Sequence, residues 1–520
     1  MSRRTFFRQL GGFGLAAVAA PDDWAFASPP PAAASATSPL RLHPFVEAHP
    51  EAVFIRRTKV AVKTDAQAIR RETLALARQV FRLEKGPGVP ASPVVAIKPN
   101  LTSTKGTGLT YAIITDTYAV EGLVDGLEEL GVAPGSIYVR EGLHKEQATT
   151  GYAELAQRAG IHYGDDDART PTTIECPGGV VFRRTKYLGP FAYPGTFLIN
   201  VAKHKAHSMG LTLAVKNLQG TNVPPYIRFC NDLVPSIAGD YQPDALAHVE
   251  ALYQKHRKAG LPRWETSEGP WMERWVERTI DHYALIQPKV GLHVIEGIYA
   301  QDGDAFDGGP GPSGLPNVFM TNVLIFGKDA FRTDIVGHWL GGHEPGNFGL
   351  FHVAKERGVS TALDPRNIPL YEWTDDGPKL APLDSFARTP LLTPYLAKPG
   401  EAKFHMVDEP YAYAPEAKAA CLSGGERPSL RALGRVPSAD GSASLVAEYG
   451  LPEDLPASLE VYDSWGQRVG VVARGRLSRG VHAGSWNPGP LAAGEYWLRL
   501  QAGGVDLLRK AAFLPRRLLA

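Results

Sequence analysis

The sequence predicts an α/β protein: a largely parallel or mixed sheet with flanking helices, followed by a small C-terminal β-sandwich. Three observations carry this. From about residue 50 to 360, short apolar runs alternate with stretches of helical spacing, as expected of strands joined by crossover helices. Runs such as "PVVAIKPNL" are continuously apolar before their polar end, which suits strands covered on both faces. From about residue 440 the pattern becomes period-two runs between glycine turns, which reads as short antiparallel strands in a sandwich.

The elements follow in order. "EAVFIRRTKV" is strand-like, and "DAQAIRRETLALARQVFRL" has helical spacing through Ile69, Leu74, Leu76, Val80 and Leu83. "PVVAIKPNL" is a buried strand running into a loop. "TDTYAVEGLVDGLEELGV" is a helix that Thr115 or Asp116 can cap and Gly131 can stop. "SIYVREG" is a strand and "TTGYAELAQRAGI" a helix. "GTFLINVAK" is a strand that ends in charge, and "GLTLAVKNLQG" opens a helix or turn after it. Asp240 to Glu277, rich in Trp, His, Arg and Glu, reads as a helical insertion. "KVGLHVIEGIYAQDGD" is a strand entering an acidic, glycine-rich loop, and "NVLIFGKDAFRTDIVGHWLGG" is a strand followed by a helix. The organisation is therefore a linker over 28–49, an α/β domain over 50–360, a Pro-rich, weakly periodic extension over 361–439 and the sandwich over 440–520, with no internal repeat.

Composition bounds the function. The 520 residues suffice for two or three domains, and 44% hydrophobic with 21% charged residues is globular. A formal net charge of +1 gives no global argument for nucleic acid or a membrane surface, so any basic site must be local. The 54 glycines and 43 prolines imply many turns and ordered loops. Cys176, Cys230 and Cys421 form no C-x-x-C pair. They cannot alone complete a four-thiolate iron–sulfur site or a c-type haem site, and they leave the pairing of any single disulfide open. Cys176 has no evident base beside it, which favours a structural role.

The first residues, "MSRRTFFRQLGGFGLAAVAA", place the pair Arg3–Arg4 ahead of Phe6 and Phe7, a short mildly apolar run and the small-x-small site "AFA" at Ala25 to Ala27. This order resembles a Tat signal peptide over 1–27. It implies export through the Tat machinery to the periplasm or cell surface. No other segment has the ~18 apolar residues of a spanning helix, so no integral membrane segment is expected in the mature form.

In an open α/β sheet, ligands bind beyond the carboxyl ends of the strands. Several predicted strands deliver polar residues there: Lys98 and Asn100, Arg140 and Glu141, Lys203, Lys205 and His207, and Glu296. Lys216, Asn217 and Gly220 follow the histidine loop. An apolar strand ending in lysines is what an anion pocket requires, because ammonium groups and loop amides bind carboxylate or phosphate. A lysine desolvated beside other cations loses proton affinity, and histidine exchanges protons near neutral pH. Lys205, His207 and Glu296 are therefore the catalytic candidates. Lys98, Asn100, Lys203, Lys216, Asn217 and Gly220 are the ligand-binding candidates. His204 and His207 have H-x-x-H spacing and with Glu296 could hold a metal, but on a strand that spacing does not put both on one face, so no metal site is assigned. Asp302, Asp304 and Asp307 read as a solvated turn, because no glutamate stands at the twelfth position of a calcium loop.

"VVAIKPNL", "INVAKHKAHSMGLTLAVKNLQG", "VIEGIYAQDGD" with the following "GGPGP", and "VLIFGKDAFRTDIVGHWLGG" together resemble the domain of unknown function 362 family, in the family's order. The K-x-K-x-H followed by K-N-x-x-G is the most specific part. Ala206 stands where the family often has threonine, and Glu296 where aspartate is usual. Many relatives carry a ferredoxin-like cysteine module that this chain lacks, which argues against electron transfer of its own. "VYDSWGQRV", "GVHAGSWN" and "LAAGEYWLRL" resemble the Ig-like domain of flagellar hook-cap proteins and type IX sorting domains. The expectation is an exported enzyme of undetermined reaction and unknown cofactor, acting on an anionic small molecule. The rivals are a redox-partner protein and a non-catalytic envelope binding protein.

Overall fold

The computed structural model describes residues 38–513, apart from 85, 87–92, 103–110, 143–149, 165–170, 228–232, 265–268, 305, 414–427, 438–442, 464–465 and 488–493. The expected signal peptide, Cys230 and Cys421 lie outside the described residues. Along the chain come β1 (Leu40–Leu42), α1 (Pro44–Ala48), β2 (Val53–Arg57), α2 (Ala66–Val80), β3 (Phe81–Leu83), β4 (Val94–Pro99), α3 (Thr117–Leu130), β5 (Ile137–Val139), α4 (Tyr152–Ala159) and β6 (His162–Tyr163). An antiparallel pair, β7 (Thr172–Glu175) and β8 (Arg184–Tyr187), precedes β9 (Thr196–His207), β10 (Gly210–Thr212) and α5 (Ala214–Asn217). Helices α6 (Ala245–Lys258) and α7 (Gly269–Ile286) lead to β11 (Val290–Gln301), β12 (Val318–Phe319), β13 (Val323–Gly327), α8 (Ala330–Leu340), α9 (Gly349–Glu356), β14 (Leu370–Thr374) and β15 (Gly377–Leu380). The C-terminal strands are β16 (Ser429–Pro437), β17 (Ala443–Leu451), β18 (Leu455–Tyr462), β19 (Arg468–Leu477), β20 (Gly480–Trp486), β21 (Gly494–Ala502) and β22 (Val505–Phe513).

The central sheet is mixed, in the order β15-β14-β2-β13-β11-β9-β4-β5-β6, with β10 added on β9 and β12 on β11. The run β11-β9-β4-β5-β6 is parallel, and β13 enters antiparallel between β11 and β2. Both faces are covered. Along β9, Phe197, Ile199 and Val201 join one apolar layer with α2, α3 and α4. Leu198, Ala202 and Ala206 join the other with α7, α8 and α9. Each fully buried aliphatic side chain contributes about 1.5–3 kcal/mol. A one-residue slip would exchange the two layers, so the register is firmly set.

Local signals explain the helices nearest the site. The Asp65 carboxylate caps α2 by accepting from Ala68 N, and its buried stripe includes Ile69, Leu76 and Val80. Asp116 caps α3 by accepting from Tyr118 N, and Gly131, at φ 99°, ends it in the left-handed conformation. The two helices approach closely at Gly122 and Gly126. A Cβ at Gly126 would stand 2.4 Å from Ala77 Cβ, and one at Gly122 would stand 2.2 Å from Thr73 Oγ1.

Four features differ from the sequence reading. Part of the expected 28–49 linker is folded: β1 pairs with β3, and Leu40, Leu42 and Val46 are buried. The expected helical insertion contributes α7 to the core, where Trp275, Val276 and Ile280 are buried. The Pro-rich extension supplies β14 and β15 to the sheet, and Phe386, Leu391, Tyr395 and Val407 to the core. Pro378 lies on the terminal strand β15, where a missing N–H is tolerated. Finally, the C-terminal unit begins by Ser429 and is docked on the sheet. It forms two antiparallel sheets, β16-β17-β20 and β19-β18-β21-β22, around its own apolar core. Trp497 and Leu508 also pack with Tyr371, Trp373 and Leu380 of the α/β domain. Arg499 chelates Asp506 and lies 3.7 Å from Glu51 across that contact.

Candidate functional site

Strand β9 is buried from end to end, and its last third carries Lys203, Lys205 and His207 at alternate positions. Alternation puts all three on the side of Val201 and leaves His204 on the other. There His204 Nε2 is 3.0 Å from the Gly337 carbonyl, and burial lowers its pKa to about 4. The two histidines of the H-x-x-H do not converge. Among the described residues, no group of three or more His, Cys, Asp or Glu side chains is placed to hold a metal ion.

Lys98 leaves the opposite side of the neighbouring strand β4. Its Nζ donates to Glu141 Oε2 at 2.6 Å, to the Pro99 carbonyl at 2.6 Å and to Asn217 Oδ1 at 3.1 Å. Burial holds this ammonium below the ordinary lysine value, with Glu141 pulling the other way. Gly220 makes room for the pair: a Cβ there would stand 2.1 Å from Glu141 Oε1 and 2.7 Å from Lys98 Nζ. Asn217 is a hub. It accepts from Lys98 and Asn100 and donates to the Lys98 carbonyl and to Asn200 Oδ1. It is held there because Asp334 of α8 caps α5, accepting from Ala214 N at 2.7 Å and Val215 N at 2.9 Å. Asn100 is fixed through Thr115, which accepts from Asn100 N and donates to the Val201 carbonyl.

Lys203 is fully buried and donates to Glu296 Oε2 at 2.6 Å, with the Tyr299 ring 3.4 Å from its Nζ. Glu296 also accepts from Asp116 N and Ile298 N. Burial pushes Lys203 down and Glu296 up, while their contact opposes both shifts. Glu296 thus faces Lys203 rather than Lys205 or His207. The carboxylate beside His207 is Asp304, whose Oδ2 lies 3.5 Å from His207 Nδ1 and accepts from Ser208 N at 2.6 Å. Asp302 accepts from Asn317 N and Nδ2. Asp302 and Asp304 are each 1% exposed, so the stretch expected as a solvated turn buries two of its three acids.

Lys205, Lys216 and His207 form the remaining group. Lys205 Nζ donates to Thr102 Oγ1 at 2.9 Å. Strand pairing sets Thr212 and Gln301 on either side of Lys205, and both keep a buried side-chain atom, Thr212 Oγ1 and Gln301 Nε2, with no hydrogen-bond partner. Lys216 is 6% exposed and has no hydrogen bond or ion pair among the described residues. It acts electrostatically on both Lys98 and His207. Burial first, then Lys216 and Lys205, push His207 down to about 3, against the pull of Asp304. The imidazole expected to exchange protons near neutrality is therefore held neutral. The extension closes the rear of this group, where Thr393 donates to the His207 carbonyl at 2.5 Å.

The structure thus gathers the predicted residues at the carboxyl end of β4 and β9, but in separate roles. Lys98, Asn100, Asn217 and Gly220 form one satisfied network, and Lys203 with Glu296 another. Lys205 stands between Thr212 and Gln301, each with an unsatisfied side-chain atom, and Lys216 and Lys205 both act electrostatically on His207. Thr212, Gln301, Asp304, Asp334 and Thr393 are additions that sequence reasoning missed. Of these only Asp304 carried a signal, through its acidic loop.

The fold and site define a mixed α/β domain with a buried lysine-rich cluster at its strand ends. Residues 95–338 match the family described as domain of unknown function (DUF362), so the chain carries a domain of that family there. The match runs from β4 into α8 and contains every residue from Lys98 to Asp334, but neither Thr393 nor the C-terminal unit. No curated protein and no solved structure matches the chain.

Proposed function

We propose that this domain binds an anionic small molecule, carboxylate or phosphate, at Lys216 and Lys205, with neutral His207 as the proton acceptor beside it. The observation that carries the reading is Lys216: a largely buried lysine, close to Lys98 and His207, with no carboxylate partner among the described residues. A cation with no counter-ion of its own attracts an anion, and more strongly where water is partly excluded. The orphaned Thr212 Oγ1 and Gln301 Nε2 supply neutral donors for the same anion. An anion there also raises the proton affinity of His207, so binding and proton uptake are coupled. Whether turnover follows rests on what the anion carries. Titration of Lys216→Ala with inorganic phosphate tests the reading.

We propose in addition that the chain is exported by the twin-arginine route to the periplasm or cell surface, with the C-terminal unit as an Ig-like accessory module. The support is the order of Arg3–Arg4, the apolar run and "AFA". No helix among the described residues is long and apolar enough to cross a membrane. Replacing Arg3 and Arg4 by lysine should leave precursor in the cytoplasm, and mature protein still reaching the periplasm would contradict the assignment.

A further inference from the structure

The loop after β11 carries an aromatic side chain that the anion cluster does not use. Phe306 is 64% exposed, above Leu246 at 55%, Val62 at 54%, Val471 at 44% and Tyr118 at 41%, the other exposed large apolar side chains among the described residues. Single exposed apolar residues are ordinary on a protein surface. Two facts set Phe306 apart. Its ring meets the buried His207 edge to face, with centroids 6.2 Å apart and an interplanar angle of 79°. Its backbone is also pinned: Phe306 N donates to Asp304 Oδ1 at 2.7 Å, while Asp304 Oδ2 holds Ser208 N next to His207. One carboxylate thus ties the Phe306 loop to the histidine loop. Asp307 adds a second tie, its carbonyl accepting from Lys403 Nζ at 3.1 Å. The ring is therefore a fixed surface beside the anion cluster.

We propose that Phe306 is a specificity-determining residue, and that the ligand is an anion bearing a planar apolar ring. The proposal rests on the anion-binding reading above and names the class of ligand within it. The acidic group meets Lys216 and Lys205, and the ring stacks on the solvent-facing side of Phe306. Aromatic rings gain from offset or edge-to-face contact beyond the area they bury, so an aryl acid should be preferred over a bare inorganic anion.

The experiment is calorimetric titration of the full mature chain with inorganic phosphate and phenyl phosphate, in the wild type, Phe306→Ala and Phe306→Trp. The readout is the ratio of the two affinities in each protein. Phenyl phosphate is expected to bind the wild type about fivefold to tenfold more tightly. The ratio should fall to about one in Phe306→Ala and be kept in Phe306→Trp. Equal affinities in the wild type, or a ratio unchanged in Phe306→Ala, would overturn the proposal while leaving the anion site standing. Failure of both probes to bind the wild type would remove the anion site itself, and this proposal with it.

Discussion

Lys98 and Glu141 meet at 2.6 Å in the space that a side chain on Gly220 would occupy. The pair joins β4 to the end of β5 and is 1% and 3% exposed at its side chains. Gly220→Ala should therefore push two buried charges apart. Breaking a buried ion pair costs about 3–5 kcal/mol. Thermal unfolding should show a clear loss of stability, and an unchanged melting temperature would show that the pair is not confined by this glycine.

Acid should unfold the protein steeply. His204 and His343 are held down to about 4, and His207, His282, His293 and His338 to about 3, in each case chiefly by burial. The folded values lie below the unfolded value of about 6.5, so the unfolded chain takes up protons first as pH falls. Stability is lost from about pH 6.5 downward, at roughly 1.4 kcal/mol per unit for each such histidine. For six of them this amounts to on the order of 10 kcal/mol by pH 5, comparable with the whole stability of a typical domain. His256 acts in the opposite sense. Burial lowers it, but Glu273 and Glu356 raise it to about 9, so its contribution is complete below about 6.5 and lost as pH rises through about 9. Urea midpoints at pH 7.5 and pH 5 should differ widely, and equal midpoints would contradict the burial of these rings.

Removing the C-terminal unit should destabilise the α/β domain. Truncation before Ser429 uncovers Tyr371, Trp373 and Leu380 and leaves Glu51 without Arg499. The truncated chain should unfold at a lower temperature than the full chain and bind a hydrophobic dye. Identical melting would show that the docking contributes nothing to the domain.

The sequence exposed the strands better than the site. The apolar run through Phe197 and Val201 marked β9, and its polar end marked Lys203, Lys205 and His207. Periodicity did not show that the strand continues through all three, because buried lysines break an apolar pattern that the fold does not break. Nor did it assign partners. Glu141 and Glu296 were legible as polar strand ends, but which lysine each neutralises depends on the order β11-β9-β4-β5. Asp334 reaches the start of α5 from 120 residues away, and Thr393 reaches His207 from 186. No local signal encodes contacts of that span. The protonation of His207 was also out of reach, since it depends on burial and on two lysines brought to it by tertiary structure.

The central claim is that Lys216 waits for an anion. Its most direct test is Lys216→Ala, measured by calorimetric titration with inorganic phosphate and by thermal unfolding of the same preparation. Loss of one charged donor should weaken binding by about 1.5–3 kcal/mol. The melting temperature should hold or rise, because a cation that repels Lys98 is removed. Unchanged phosphate affinity with a lowered melting temperature would contradict the account and make Lys216 a structural residue.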